Sequence, residues 1–360
     1  MNYLNELKEF AFLHATAQKI DKNLFSNTLK KIKYADEIGS ESWSFEFKNR
    51  GDLFFEKGSY ADALQYYNLA RFPFINSVER NLAHNKCVES FWNYNIAKKL
   101  NVEKKFIDYD GNKVGFYFRN KKNKNAPLLI VIGGIVSIKE QWFRILLLSK
   151  KLNYSIVLTE MPGVGENNCK YHKDSYSLFS KIIESLSNIT KTDNVHIIAM
   201  SFGGNMALKC AAYDSRIKSI FTVGAPLHNF FMDKNWWSKV PSITKKTLSH
   251  VCKCNESNLF NTINQFSITH NEISKITIPV HYINSKNDEI IPPTEIDFFQ
   301  KFTNQKIIYE FDDVHGSPHH MKEIQIALIS YMFLSLDNKI IPTVMKLYLK
   351  IVQFLKRKYK

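Results

Sequence analysis

The most informative segment of the chain reads Val195-His-Ile-Ile-Ala-Met-Ser-Phe-Gly-Gly-Asn-Met-Ala-Leu-Lys-Cys210. It begins as an apolar run over 195–200, short enough for one buried strand, and continues as a helical pattern. Ser201 lies between the two, with Ala199 before it and Gly203 after it. A serine on a tight strand-to-helix turn between small residues is typical of a nucleophile elbow. A serine that only caps a helix would produce the same short pattern, so the segment alone leaves both interpretations open.

The pattern around this segment alternates between strands and helices from residue 128 onward. The predicted strands cover 128–132, 155–158, 195–200, 217–223, 278–283 and 306–311, and the predicted helices include 143–152, 176–186 and 321–336. Continuous apolar strands separated by helices predict an α/β fold, with a mainly parallel sheet and helices on both faces. Before them, Asp110-Gly111 between two short strands predicts a β-hairpin. Ligands of such sheets bind at the carboxyl ends of the strands.

The rest of the chain predicts three additions to a catalytic domain at 102–338. Residues 1–101 show only helical patterns and predict an N-terminal helical cap, which includes one tetratricopeptide-like hairpin without a second copy. Residues 228–276 interrupt the alternation of strands and helices and predict an inserted lid. Residues 339–360 predict a basic amphipathic C-terminal helix, which docks on the body of the protein or contacts a partner or an acidic membrane.

The composition narrows the class of protein. The 360 residues carry a net charge of +15, but the basic residues are scattered, which favours a solvated surface over a nucleic-acid site. The five cysteines are irregularly spaced, which is typical of reduced thiols in a cytoplasmic protein. We expect no metal, no cofactor, no signal peptide and no membrane span. The expected partners are a small hydrophobic or aromatic substrate and a second copy of the chain in a homodimer.

A catalytic serine needs a base within hydrogen-bond reach, and the base needs an orienting carboxylate. In an α/β sheet with an elbow, these partners follow the serine in the order acid, then histidine, on loops after later strands. Asp288 follows the predicted strand that ends at Ile283, and His315 follows the one that ends at Phe311. The sequence therefore predicts a Ser201, His315 and Asp288 triad. Other candidates for the acid and the base are Glu289, Asp297, His319 and His320.

The oxyanion formed during attack on a carbonyl needs two backbone N–H donors. We predict the N–H of Phe202, directly after the serine, and the N–H of Ile135, in the loop after the first parallel strand. Gly134 is the alternative to Ile135 and a weaker candidate for contact with substrate. Glu160 and His228, each after a predicted strand, are further weak candidates for substrate binding, and a structural role is the favoured interpretation of both.

Several of these segments together resemble the FrsA-like branch of the α/β-hydrolases. The resemblance covers roughly residues 45–337. It rests on the helical cap with 63–70 and Pro73, on 131–140, on Met161-Pro-Gly-Val-Gly-Glu166, on the Ser201 elbow and on Gly224-Ala-Pro-Leu-His228. The resemblance implies an α/β-hydrolase fold in which the N-terminal cap closes the pocket from above. It also implies that Ser201, Asp288 and His315 match the family's triad.

The chain departs from the family's pattern at three positions: Val136 and Glu160 replace aspartates, and Ala199 replaces the first glycine of the elbow. Members with an intact triad, such as pseudooxynicotine hydrolase and the polyketide-shortening hydrolases of secondary-metabolite pathways, are carbon–carbon bond hydrolases or lyases, and others are esterases. The resemblance thus implies retro-Claisen cleavage of an aromatic or polyketide-like ketone. The alternatives are a carboxylesterase or thioesterase with the same triad, and a binding protein without chemistry.

Overall fold

The computed structural model describes residues 3–36, 38–123, 125–149, 152–302 and 305–336. The basic helix predicted for 339–360 lies outside these ranges. Within them, no helix combines the length and the apolar character needed to cross a membrane. The same ranges hold no cluster of three or more His, Cys, Asp or Glu residues arranged to bind a metal ion.

The centre of the fold is one sheet with the strand order β1-β2-β4-β3-β5-β6-β7-β8. The strands are β1 (Glu103–Tyr109), β2 (Asn112–Arg119), β3 (Leu128–Ile132), β4 (Ser155–Thr159), β5 (Val195–Met200), β6 (Ile217–Val223), β7 (Val280–Ser285) and β8 (Lys306–Phe311). The hairpin β1–β2 is antiparallel and joins β4 in antiparallel pairing, whereas the remaining pairs are parallel. Strands β3 and β4 are buried along their full length, because helices cover both faces. The predicted α/β fold with a mainly parallel sheet is confirmed.

The helices precede, separate and follow these strands. They are α1 (Tyr3–Ala17), α2 (Lys22–Lys31), α3 (Trp43–Glu56), α4 (Tyr60–Ala70), α5 (Val78–Ala97), α6 (Phe143–Ser149), α7 (Ser177–Ser185), α8 (Phe202–Ala211), α9 (Asn229–Met232), α10 (Lys234–Lys239), α11 (Ser242–Cys252), α12 (Glu256–Ile263), α13 (His270–Ser274), α14 (Thr294–Phe302) and α15 (Met321–Leu334). Helices α1–α5 occupy the predicted cap, and α9–α13 occupy the predicted lid.

The N-terminal helices share a core with the sheet. Leu64 and Tyr67 of α4 and Phe91 of α5 belong to the same buried cluster as strands β3 and β5. A second cluster holds the buried faces of α1, α2 and α3 together, and it includes Ile243 of the lid helix α11. The change of pattern near residue 101 therefore marks a change of secondary structure without a break in the core. The domain boundaries at 101 and 338 stay predictions.

Helix α1 also bonds directly to the lid. The carboxylate of Glu6 accepts hydrogen bonds from the backbone N–H of Ser242 (2.8 Å) and of Ile243 (3.0 Å), the first residues of α11. These N–H groups have no partners inside the helix, and a carboxylate beside them is favoured by the helix dipole. At the other end of α1, the guanidinium of Arg144 donates to the carbonyl of Gln18 (2.6 Å). Helix α1 is thereby fixed between the lid and α6.

Candidate active site

Ser201 lies on a tight turn between β5 and α8. Its backbone has φ 50° and ψ −124°, a conformation that L-residues rarely adopt and that occurs at functional turns. The two glycines after it lie so close to neighbouring atoms that no side chain fits at either position. A Cβ at Gly203 would lie 2.4 Å from the carbonyl oxygen of Gly133, and one at Gly204 would lie 2.1 Å from Oγ1 of Thr222. The local geometry is therefore that of an elbow, and Ser201 lines the cavity described below.

Two residues from separate loops form a chain of contacts with this serine. Nε2 of His315 lies 3.1 Å from Oγ of Ser201. On the other side of the ring, Nδ1 lies 2.8 Å from Oδ2 and 3.0 Å from Oδ1 of Asp288. Asp288 is itself held, because its Oδ1 accepts hydrogen bonds from the N–H groups of Ile290 and Ile291. The three residues form a continuous hydrogen-bonded chain that allows a proton to move from the serine to the histidine.

The carboxylates around His315 affect the pKa of its imidazole ring. Burial by itself would lower the pKa of the imidazole, but Asp288 and, to a smaller extent, Glu289 raise it above its ordinary value. Glu289 contacts the same loop, since its Oε2 accepts a hydrogen bond from the backbone N–H of His315 (3.0 Å). Burial raises the pKa of Glu289 in turn. The surroundings therefore favour a histidine that accepts a proton readily.

The alternative acids and bases lie elsewhere or make other contacts. Asp297 is exposed on α14. The rings of His319 and His320 both bond to the buried carboxylate of Asp313, at 2.8 and 2.9 Å. Glu289 lies beside His315 but contacts its backbone N–H instead of its ring. Among these candidates, only Asp288 holds the ring nitrogen of a histidine that reaches Ser201.

Two backbone N–H groups are available beside the serine. Phe202 is the first residue of α8, where a helix has no internal partner for its N–H. Ile135 lies in the loop after β3, next to Gly134, where a Cβ would come within 3.0 Å of the Ser201 Cβ. Neither N–H donates to another group in the part of the chain that the structure describes. Both residues and Gly134 line the cavity.

The cavity above Ser201 has a volume of about 660 Å³ and is mostly apolar. Helix α1 forms one wall, the lid helix α11 forms a second, and α6 and α15 close it further. Its apolar lining includes Phe10, Leu13, Ala17, Phe72, Tyr94, Ile135, Trp142, Phe143, Ile198, Met200, Phe202, Ile243, Ile290, Met321 and Leu328. A space of this size and character fits a bulky hydrophobic molecule.

Glu160, a predicted contact to substrate, is buried in an ion cluster outside this lining. Its carboxylate accepts hydrogen bonds from Nζ (2.8 Å) and N (3.1 Å) of Lys139 and from the N–H of Glu166 (2.8 Å). Lys139 is fully buried and also contacts Glu140 and Glu166. Although Glu160 follows a strand end, its side chain turns toward Lys139 and anchors the loop that follows β4.

His228, the other weak candidate, also lies outside the lining of the cavity. Its Nδ1 lies 2.8 Å from Oγ of Ser267 and 3.2 Å from the carbonyl oxygen of Ile268, and its ring stacks on Phe298. These contacts join the start of the lid to its end. In this structure His228 holds the lid to the body of the protein and does not face Ser201.

The sequence interpretation missed His14, which lines the cavity from α1. Burial, followed by the charges of Arg71 and His315, lowers its pKa to about 4. A signal was present, because His14 falls between Phe10 and Ala17 on the apolar face of a helix, where a polar residue is unusual. Nothing in the local sequence indicates which cavity that face lines.

A mainly parallel sheet with a serine at the turn after a central strand, and with an acid and a histidine on later loops, defines the α/β-hydrolase class. Within that class, a family model described as "Esterase FrsA-like" matches residues 48–305. The chain therefore belongs to the FrsA-like esterase family, as its sequence motifs predicted.

Three relatives illustrate the similarity. The solved structure of wild-type AbyA5 superposes with a TM-score of 0.90 and 31% identity, over 98% of this chain and 100% of that one. Esterase FrsA of Vibrio cholerae is 24% identical over 225 residues, 57% of this chain and 53% of the relative. The 2,6-dihydropseudooxynicotine hydrolase of Paenarthrobacter nicotinovorans is 25% identical over 197 residues, 52% of each chain. This chain thus spans about half the length of the curated relatives it matches.

Proposed function

We propose that the protein is a serine hydrolase that cleaves an acyl bond of a bulky, mainly apolar substrate. The observation that carries this proposal is the hydrogen-bonded chain from Ser201 through His315 to Asp288 at the base of a cavity of about 660 Å³. A structural serine would not need a strained turn, a histidine partner and a large apolar cavity together. Ser201, His315 and Asp288 are the proposed nucleophile, base and orienting acid.

The proposed reaction begins with attack of the Ser201 hydroxyl on a carbonyl carbon of the substrate. His315 takes the hydroxyl proton, and Asp288 stabilises the resulting imidazolium. The negative charge on the carbonyl oxygen is stabilised by the N–H groups of Phe202 and Ile135. Collapse of this intermediate gives an acyl-enzyme on Ser201, which water then hydrolyses with His315 as the base.

We further propose that the bond broken is a carbon–carbon bond of a β-dicarbonyl compound. The leaving group is then an enolate, which takes the proton that His315 received from the serine, so atoms and charge balance. The apolar cavity supports this choice, because it can hold a ketone with large groups on both sides of the cleaved bond. A relative that hydrolyses 2,6-dihydropseudooxynicotine is consistent with it.

Ester hydrolysis is the second candidate, supported by the description of the family as esterases. The same residues would act, and only the leaving group would differ. An alkoxide leaves more easily than an enolate, so an enzyme for carbon–carbon bonds is also expected to hydrolyse activated esters, whereas the reverse does not follow. The comparison of the two substrate types separates the candidates.

The test compares a fluorophosphonate probe, a β-diketone (benzoylacetone) and an ester of similar size (phenyl butyrate). We expect covalent labelling of Ser201, located by peptide mapping, and turnover of both substrates. The matched control is Ser137→Ala, which removes a different serine of the same cavity. The hydroxyl of Ser137 accepts a hydrogen bond from Nε2 of Gln141 (3.3 Å). Turnover of the ester alone would leave the second candidate, and a folded protein without labelling would contradict both.

Glu289→Gln is predicted to move the acid limb of the kcat/KM–pH profile to lower pH. The charge of Glu289 favours the imidazolium form of His315. Glutamine keeps an oxygen for the N–H of His315 but removes that charge, so the pKa of His315 falls and the neutral, active base persists to lower pH. The measurement is the profile of an ester substrate between pH 4 and 9. Glu310→Gln, an exposed change on β8, is the control, and an acid limb that does not move in Glu289→Gln would refute this role.

A further inference from the structure

The cavity contains an imidazole that the proposed triad does not use. His14 projects from α1 into the same space as Ser201 and His315. Most other polar side chains of the lining bond to protein groups; these include Gln141, Arg144, Thr247 and Gln325. The ring nitrogens of His14 have no hydrogen-bond partner in the described ranges of the chain. The ring is only partly exposed and lines a mostly apolar cavity, so a bound ligand with a matching polar atom would give it a hydrogen-bond partner there.

The position of the ring connects it to the reacting end of the cavity. His14 and His315 line the same cavity, and the positive charge of His315 opposes protonation of His14. His315 in turn lies against the hydroxyl of Ser201. The ring of His14 also packs against Phe72, with 5.1 Å between ring centroids, which restricts its orientation. A substrate that fills the cavity with its carbonyl at Ser201 therefore shares that space with the ring of His14.

The charge of His14 decides what it can bind. With a pKa of about 4, the ring is neutral near pH 7, and Arg71 and His315 both oppose its protonation. A neutral imidazole presents one N–H donor and one acceptor nitrogen, but it is a very weak acid. It suits a carbonyl or hydroxyl oxygen and does not suit a carboxylate that needs a cation. It also does not suit delivery of a proton to a leaving group, which leaves that role with His315.

We propose that His14 is a substrate-positioning residue that donates a hydrogen bond to a second oxygen of the substrate, near the carbonyl that Ser201 attacks. The chemical class implied is a ketone or hydroxy-ketone with at least two oxygen atoms on an otherwise apolar skeleton. This inference rests on the proposed function of Ser201. Because a site built to bond an oxygen discriminates against analogues that lack it, His14 would exclude plain hydrocarbon acyl groups.

The test uses 4-nitrophenyl heptanoate and its 4-oxo, 5-oxo and 6-oxo analogues, which place one ketone at successive positions. The wild type is expected to prefer at least one keto ester over the plain ester in kcat/KM. His14→Phe fills a similar volume without a donor and is expected to reduce that preference about fivefold, the net value of one neutral hydrogen bond. His14→Gln retains a donor and is expected to restore part of it.

Two controls separate this proposal from the proposed function. Phe10→Leu changes the wall of the cavity on the same helix and is expected to affect plain and keto esters alike. Covalent labelling of Ser201 by the fluorophosphonate is expected to persist in His14→Phe, which checks that this variant is folded and keeps a reactive nucleophile. If labelling and turnover persist but His14→Phe affects all esters equally, the role of His14 is refuted while the proposed function stands. If the folded wild type is neither labelled nor active, both are refuted.

Discussion

Ser201→Ala is expected to reduce kcat for an activated ester by about 10⁴- to 10⁶-fold, the range found when the nucleophile of a serine triad is removed. The loss is large because no other hydroxyl lies within reach of Nε2 of His315 in the described part of the chain. The fold should persist, because the serine side chain makes no other hydrogen bond there. Kinetics with 4-nitrophenyl acetate and a thermal melt by circular dichroism measure the two effects.

A double variant tests whether Ser201 and His315 act together. The residues of a triad act as one unit, so removing a second member after the first costs little more. Ser201→Ala combined with His315→Ala is therefore expected to be about as inactive as Ser201→Ala alone. Effects that multiply would show that the two residues act independently. A Ser201→Ala protein with nearly full activity would end both the carbon–carbon and the ester hypotheses.

Much of this site follows from the sequence because its signals are local. Each proposed triad residue lies on the turn or loop that follows an apolar strand, and the carboxyl ends of parallel strands meet at one edge of a sheet. The small residues at 199, 203 and 204, on either side of Ser201, similarly predict the turn, because a tight turn has no room for larger side chains. The order serine, acid, histidine then requires only that the strands be assigned correctly.

Other features depend on packing between distant segments, which local patterns do not encode. Helix α1 reaches the cavity because Glu6 bonds to the start of α11, more than 200 residues later in the chain. The sequence pattern accordingly places His14 on the apolar face of α1, but it does not indicate that this face lines a cavity. Glu160 illustrates the same limit: its place after a strand made it a weak candidate for substrate contact, but its position in the sequence does not indicate that Lys139, from the neighbouring loop, binds its carboxylate.

Lys139→Met is expected to destabilise the protein by about 3–5 kcal/mol, the cost of removing one partner from a buried ion pair. Nζ of Lys139 lies 2.8 Å from Glu160, 2.7 Å from Glu166 and 3.4 Å from Glu140. Burial alone would lower the pKa of this lysine, but the three carboxylates outweigh it and raise that pKa above its ordinary value. Without the cation, Glu160 and Glu140 remain buried beside each other as like charges. Urea unfolding monitored by tryptophan fluorescence measures the change.

Two comparisons distinguish a charge effect from a packing effect. Lys104→Met removes a cation that contacts Glu166 (2.7 Å) at a partly exposed position, where ion pairs contribute about 0–1 kcal/mol. Adding Glu160→Gln to Lys139→Met removes one of the stranded charges, so the double variant is expected to be more stable than Lys139→Met alone. Equal stability of the two would mean that the loss came from packing.

The pH dependence of Lys139→Met follows from the same reasoning. Burial already raises the pKa of Glu160 in the folded protein, and loss of Lys139 removes the contact that opposes this rise. A carboxyl whose folded-state pKa exceeds its unfolded value binds a proton more tightly in the folded state. Its contribution to stability is therefore complete below the unfolded pKa and is lost as pH rises through the folded pKa. Relative to the wild type, Lys139→Met should recover stability as the pH is lowered toward 5, and a deficit that stays constant with pH would contradict the role of Lys139 as the counter-ion of Glu160.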